Sequence, residues 1–185
     1  MKTSDLTLVS LMTAVLVIAS QISLPIGPIP ITLQSLAVLV IGYLLTPRNA
    51  MMATLLFLIL GLIGLPVFTG FSGGVQSVLT PSFGFVISFI PASYFQAKYM
   101  QNKKDPLLKD FAVAGLINMI IMYVIGLGYM AVILNIFLDS NINLGGILLG
   151  GLIPFIPGDL LKFSVSISLS KRLRPISLKG KLSKV

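Results

Sequence analysis

The chain has 185 residues, of which 56% are hydrophobic and 10% charged, whereas soluble domains carry about a quarter charged residues. This is the composition of a polytopic membrane protein. Cysteine and histidine are absent, which excludes disulfide frameworks, thiolate and zinc-hydrolase sites, Ser-His-Asp triads and histidine proton relays, and the net charge of +8 points to nucleic acid only until its distribution is followed.

Met1-Lys2 precedes an apolar run with no small-residue cleavage site, so the run reads as a retained first helix and not as a signal peptide. That helix is expected from about Leu6 to Leu24, where Pro25 stops it. Ser10-x-x-x-Ala14 has the small-xxx-small spacing that lets another helix approach, either within the bundle or from a partner. Pro25, Pro28 and Pro30 then force an extended loop over 25–32. A short span at about 32–45 carries Gln34 at its mouth, where the amide suits a polar ligand or a neighbouring backbone. Thr46-Pro47-Arg48-Asn49 reads as a tight turn into a third span at about 50–64.

The stretch from Gly64 to Gly84 is uncharged and rich in Gly, Ser and aromatic residues. Gly73 and Gly74 permit positive φ and close backbone approach, and with Gln76 and Ser82 they mark a candidate lid or wall over a small molecule, or a membrane-surface loop with flexible turns. No Gly-Lys-Ser/Thr closes the stretch, so it is not a P-loop, and no nucleotide-hydrolysing or other enzymatic activity is expected. A fourth span at about 83–98 contains Pro91, which can kink it. After a basic turn, a long fifth span at about 111–138 carries Asn118 and Tyr123. Asn118 suits a ligand contact or an interhelical hydrogen bond. The sixth span, at about 148–173, follows a polar turn; Leu144 to Ile156 reads as a broken element and the final helix as starting at Pro157.

The fold class expected is an all-α integral membrane protein, a single domain of six transmembrane helices over 1–185. Lys2, Arg48, Lys98, Lys103, Lys104, Lys109 and the six basic residues from Lys171 to Lys184 all fall at alternate connections or the termini. The positive-inside rule then puts both termini in the cytoplasm, explains the net charge without nucleic acid, and leaves the loops at 25–32, 65–82 and 139–147 outside.

The remaining basic residue is Lys162, three positions after Asp159 in Pro157-Gly158-Asp159-Leu160-Leu161-Lys162. Nine rises of 1.5 Å separate it from Lys171, or ~13 Å, which places it near mid-depth of a hydrocarbon core about 30 Å thick. Ionisable groups at that depth are costly and usually functional. Asp159 suits the first turn of a helix, and Lys162 shares its face. Together they form the floor of an outward-facing binding site for one small organic ligand with an anionic group, or an ion pair that only locks helices. A single deep carboxylate does not make a site for a hard cation, so no metal is expected.

Several stretches carry a resemblance: Pro28-Ile-Pro30-Ile-Thr32-Leu33-Gln34-Ser35-Leu36, Gly61-Leu-Ile-Gly64-Leu65-Pro66-Val67-Phe68 with the following Gly-Gly, Pro81-Ser-Phe-Gly84-Phe85, and the closing Pro157-Gly158-Asp159-x-x-Lys162. In this order, over nearly the whole chain, they resemble the BioY family, the biotin-specific substrate-binding (S) components of energy-coupling-factor (ECF) transporters. The resemblance implies a prokaryotic cell-membrane protein that captures biotin outside and works with a transmembrane coupling subunit and two ATP-binding cassette ATPases. Biotin is then a ligand and not a cofactor, and Asp159 and Lys162 are implied to hold its ureido ring and valerate carboxylate between them. Two features depart from the family pattern. Val75-Gln76 follows Gly73-Gly74 where members often have an Arg, and Ser10-xxx-Ala14 stands where an Ala-xxx-Ala docking face is common. The rival readings are an S component for another vitamin and a non-transporting subunit in which Asp159 and Lys162 are structural.

Overall fold

The computed structural model describes residues 3–24, 30–103 and 105–182. Their helices are α1 (Thr3–Gln21), α2 (Gln34–Leu44), α3 (Pro47–Leu62), α4 (Phe83–Gln101), α5 (Leu108–Val132, continued by a π-turn over Ile133–Phe137), α6 (Leu144–Gly151) and α7 (Ile156–Leu182). With α6 and α7 counted as one interrupted element, the helices number six among the described residues. Three stretches are long and apolar enough to cross a membrane, Thr3–Gln21, Leu108–Phe137 and Leu144–Arg174, and α2 and α3 are shorter apolar helices. The chain is a multi-pass, mostly helical membrane protein.

Several expected boundaries move. α1 ends at Gln21, because Ser23–Leu24 turns extended and pairs antiparallel with Ile31–Thr32. One two-residue ladder therefore interrupts an otherwise all-α expectation. The prolines that forbid helix here favour extended backbone on either side of them. The centre of the Pro-rich loop, 25–29, lies outside the described residues, as do Lys2, Lys104 and Lys184. α2 is 11 residues long, ~16 Å, about half of a ~30 Å core, so the expected span at 32–45 is not a full crossing helix. Thr46-Pro47-Arg48-Asn49 is not a separate turn but the start of α3. The Thr46 hydroxyl accepts from the Asn49 N–H and Pro47 opens the helix, where its missing donor is not needed. The last helix passes Pro175 and runs to Leu182, beyond the expected stop near Leu173.

Lipid offers apolar helix faces no hydrophobic gain, so packing and hydrogen bonds hold such a bundle together. The α4–α5 contact is reciprocal: Tyr129 of α5 lies in the space a side chain at Gly84 would fill, and Phe85 of α4 fills the space at Gly126. Between α2, α4 and α5, the Asn118 amide donates to Gln96 Oε1 at 2.6 Å, and Gln96 donates to the Leu39 carbonyl at 2.9 Å. The 63–82 segment is tied down from two sides. Phe68 sits edge-on to Phe57 and Phe83, at ring centroid distances of 5.5 and 6.0 Å. From α1, Ser20 donates to the Val67 carbonyl, and Gln21 donates to Val67 and Phe68.

Arg174, counted in sequence as part of the basic stop, is buried. Its guanidinium donates to the carbonyls of Met100 at 2.8 Å, Lys103 at 2.9 Å and Tyr43 at 3.4 Å, closing the far ends of α2 and α4 onto α7. Beside it Lys103 pairs with Asp110 at 2.9 Å. The Asp110 carboxylate, through that hydrogen bond, raises the pKa of the Lys103 ammonium above its ordinary value.

Candidate functional site

A cavity of about 250 Å³, just below the ~300–1,000 Å³ typical of small-molecule sites, opens where five parts of the chain meet. Its walls come from Pro30 to Ser35, from the loop through Phe68, Ser72 and Ser77, from Ser82 to Phe89 at the start of α4, from Met122 and Tyr123 on α5, and from Phe155 to Lys162. Phe68, Phe83, Phe85, Phe89 and Phe155 give it an aromatic lining, and Phe85 stands perpendicular to Tyr123 at 6.1 Å.

The polar floor is built on α7. Asp159 lies in the helix's first turn, where the helix dipole favours a carboxylate, and Lys162 follows one turn later. Both are more than nine-tenths buried, and Lys162 Nζ lies 2.8 Å from Asp159 Oδ1. Ser35 of α2 joins the pair from the opposite side. Its hydroxyl donates to Asp159 Oδ1 at 3.2 Å and accepts from Lys162 Nζ at 3.0 Å. Tyr123 of α5 donates its phenol proton to Asp159 Oδ2. The carboxylate thus joins three helices, and the ion pair sits in a hydrogen-bond network that offsets part of the cost of burying it.

Two donors are left over. Lys162 has three N–H groups and uses two on Asp159 and Ser35 among the described residues. Gln34 shares its Oε1 with the Thr32 hydroxyl at 3.1 Å, and its buried Nε2 has no hydrogen-bond partner. Turning the amide over would only exchange which end is unpartnered, since Thr32 reaches one end alone. Buried polar groups are seldom left so, and both these donors belong to residues lining the same cavity.

Of the residues singled out in the sequence, the structure brings Gln34, Ser82, Tyr123, Asp159 and Lys162 together on the cavity wall. Gly73, Gly74, Gln76 and Asn118 are not among its lining residues. Gln76 is exposed and donates back to the Gly73 carbonyl at 2.6 Å, and Gly74, at φ 94°, precedes the short 3-10 turn over Val75–Leu79. Asn118 is buried in the bundle against Gln96, the interhelical alternative weighed for it. Sequence reasoning passed over Ser35, although it touches both members of the ion pair. Nothing in the sequence links position 35 to positions 159 and 162, and a serine after a glutamine is unremarked on pattern alone. Phe85 and Phe155 were likewise not among the candidate site residues. Among the described residues no group of three Asp, Glu, His or Cys side chains is placed to hold a metal ion.

Residues 1–179 match the family model described as the BioY family. The chain is 34% identical over 174 residues to a probable biotin transporter BioY of Pyrococcus horikoshii, covering 94% of this chain and 98% of that one. It is 33% identical over 171 residues to a probable biotin transporter BioY of Lysinibacillus sphaericus, covering 92% and 87%. Among solved structures it resembles the S-component for biotin from an ECF-type ABC transporter, with TM-score 0.82 and 31% identity over 94% of this chain and 92% of that one.

Proposed function

This chain belongs to the BioY family, and on that premise we propose that it is the biotin-binding S component of an ECF-type uptake transporter. The observation that carries the reading is the pair of leftover donors, Gln34 Nε2 and the third Lys162 N–H, beside an Asp159 carboxylate in an aromatic-walled cavity. Biotin offers the complementary chemistry. Its ureido ring has two N–H donors and a carbonyl acceptor, its thioether ring is apolar, and its side chain ends in a carboxylate. Asp159 accepts from N–H groups of the ligand, Lys162 and Gln34 donate to its oxygens, and Tyr123 and Ser35 hold the carboxylate in place. Ser82 and the other hydroxyls of the 63–82 loop supply a second set of donors. Gly73, Gly74 and Gln76 act on this loop's shape, and Asn118 on helix packing.

The site is open at the end of the bundle away from the basic residues. From Lys162 to Arg174 along α7 is 12 residues, ~18 Å, and the described basic clusters lie towards the Arg174 end. That supports an orientation with both termini cytoplasmic and the cavity facing out, over a single transmembrane domain of 1–185. Ser10 and Ala14 are both exposed on α1, which supports a face for a transmembrane coupling subunit. With no Walker motif in the chain, the work of moving ligand inward falls to that subunit and two ATPases, which shift the bundle between states of different affinity. Calorimetric titration of the purified protein with biotin, riboflavin and thiamine tests the ligand assignment. One-to-one binding of biotin, undisplaced by the other two, is expected; preference for another vitamin would replace the assignment, and no binding by folded protein would leave Asp159 and Lys162 as a structural lock. In vesicles, biotin uptake is expected only with the complete ATPase-bearing complex.

A further inference from the structure

The segment between α3 and α4 has two faces, and only one belongs to the cavity. Phe68, Ser72 and Ser77 line the cavity. Phe71, Val75 and Leu79, spaced four apart, point the other way, with Phe71 71% and Val75 72% exposed. No charged residue occurs between Arg48 and Lys98, and the exposed polar groups of the segment, Ser72, Gln76 and Thr80, are all uncharged. The apolar face is also continuous with an exposed apolar stripe of α3. Leu55 and Ile59, exposed on α3, are followed at the same four-residue spacing by Ile63, the first residue of the segment. On the other side Ile18 of α1 and Ile22 just past its end are exposed beside the segment, and there Gln21 Oε1 accepts the Phe71 N–H at 2.9 Å. Phe71 itself holds φ 55°, a left-handed conformation that is unfavourable for a bulky side chain and that glycine would adopt freely. The backbone therefore turns an aromatic ring outward where the exposed apolar stripe of α3 continues into the segment.

We propose that the apolar face of residues 63–79 is seated in the lipid bilayer at the acyl–headgroup boundary, so that the wall of the cavity is at the same time a membrane-bound element. Aromatic side chains favour this depth, and an amphipathic segment with one apolar edge lies in the interface plane. The proposal does not depend on which ligand the cavity takes.

The chain has no tryptophan, so Phe71→Trp and, separately, Val75→Trp each introduce a single fluorophore. Each variant is reconstituted into bilayers of ordinary phosphatidylcholine and of phosphatidylcholine brominated near the carbonyl end of the acyl chains, then titrated with iodide. Val124→Trp, at an exposed position within the long apolar α5, serves as the lipid-facing reference. The proposal expects both loop tryptophans to emit to the blue of free tryptophan, to lose most of their emission in the brominated lipid, and to resist iodide. Strong quenching by iodide with indifference to bromine would place the face in water and overturn it. Protection from both quenchers would mean that protein covers the face, a second copy included, and would overturn it equally. Should one variant fail to fold, the other carries the same test.

Discussion

The two buried cations of α7 make an instructive pair. Lys162 and Arg174 stand on one helix, each more than nine-tenths buried, and each must be compensated by its surroundings. Arg174 is compensated by backbone: its guanidinium fork meets three carbonyls near the ends of α2 and α4, and among the described residues no carboxylate pairs with it. Lys162 is compensated by side chains, Asp159 and Ser35, and lines a cavity with one N–H still unused among the described residues. A residue whose donors go to fixed backbone closes a structure. A residue with a spare donor in a cavity wall is available to a ligand. Burial and charge alone do not separate the two roles; the accounting of donors does.

The substitutions that test this contrast fall in order of expected effect. Lys162→Met removes a charge-assisted bond to the ligand, worth ~1.5–3 kcal/mol, and should weaken biotin binding by about 10- to 100-fold or more. Because Asp159 then loses its counterion, a lower melting temperature is expected too, read by thermal unfolding in detergent. Arg174→Met should affect stability alone, costing of the order of 2–4 kcal/mol while leaving biotin affinity within about twofold, since no atom of Arg174 lines the cavity. Gln34→Leu should weaken biotin by about 5- to 10-fold in titration, with stability held or raised, because the variant no longer buries an unpartnered amide. Gly126→Ala is expected to act on the site from a distance. The added methyl meets Phe85, a cavity-lining ring, so a moderate loss of affinity should accompany a lower melting temperature. Lys103→Ala should matter least. Lys103 is partly exposed and Asp110 keeps its Leu107 N–H donor, so near neutral pH only a small fall in melting temperature is expected, and the raised Lys103 pKa means the pair's contribution is lost only in alkali.

Much of this was legible in the sequence, for identifiable reasons. Composition and the spacing of basic residues fixed the membrane class and the number of helices, because a bilayer imposes length and charge rules on every segment. Asp159 and Lys162 stood out because charge is rare at depth. What escaped notice was long-range or local to the backbone. Ser35 matters through partners more than a hundred residues away, and Arg174 reads as one more basic stop until its carbonyl partners are placed. Gly73 and Gly74 were read as a ligand wall or a membrane-surface loop because glycine permits close approach; Gly74 precedes the Val75–Leu79 turn, and the cavity lining here comes from neighbours such as Ser72 and Ser77. The ladder between Ser23–Leu24 and Ile31–Thr32 was hidden by a helix-length apolar run that continues three residues past the helix end.

The most direct test of the contrast measures biotin affinity and melting temperature side by side in the wild type, Lys162→Met and Arg174→Met. The account predicts that both variants melt earlier but that affinity collapses only in Lys162→Met, while Arg174→Met keeps it. Retained biotin affinity in a folded Lys162→Met protein would contradict the assignment of that ammonium to the ligand.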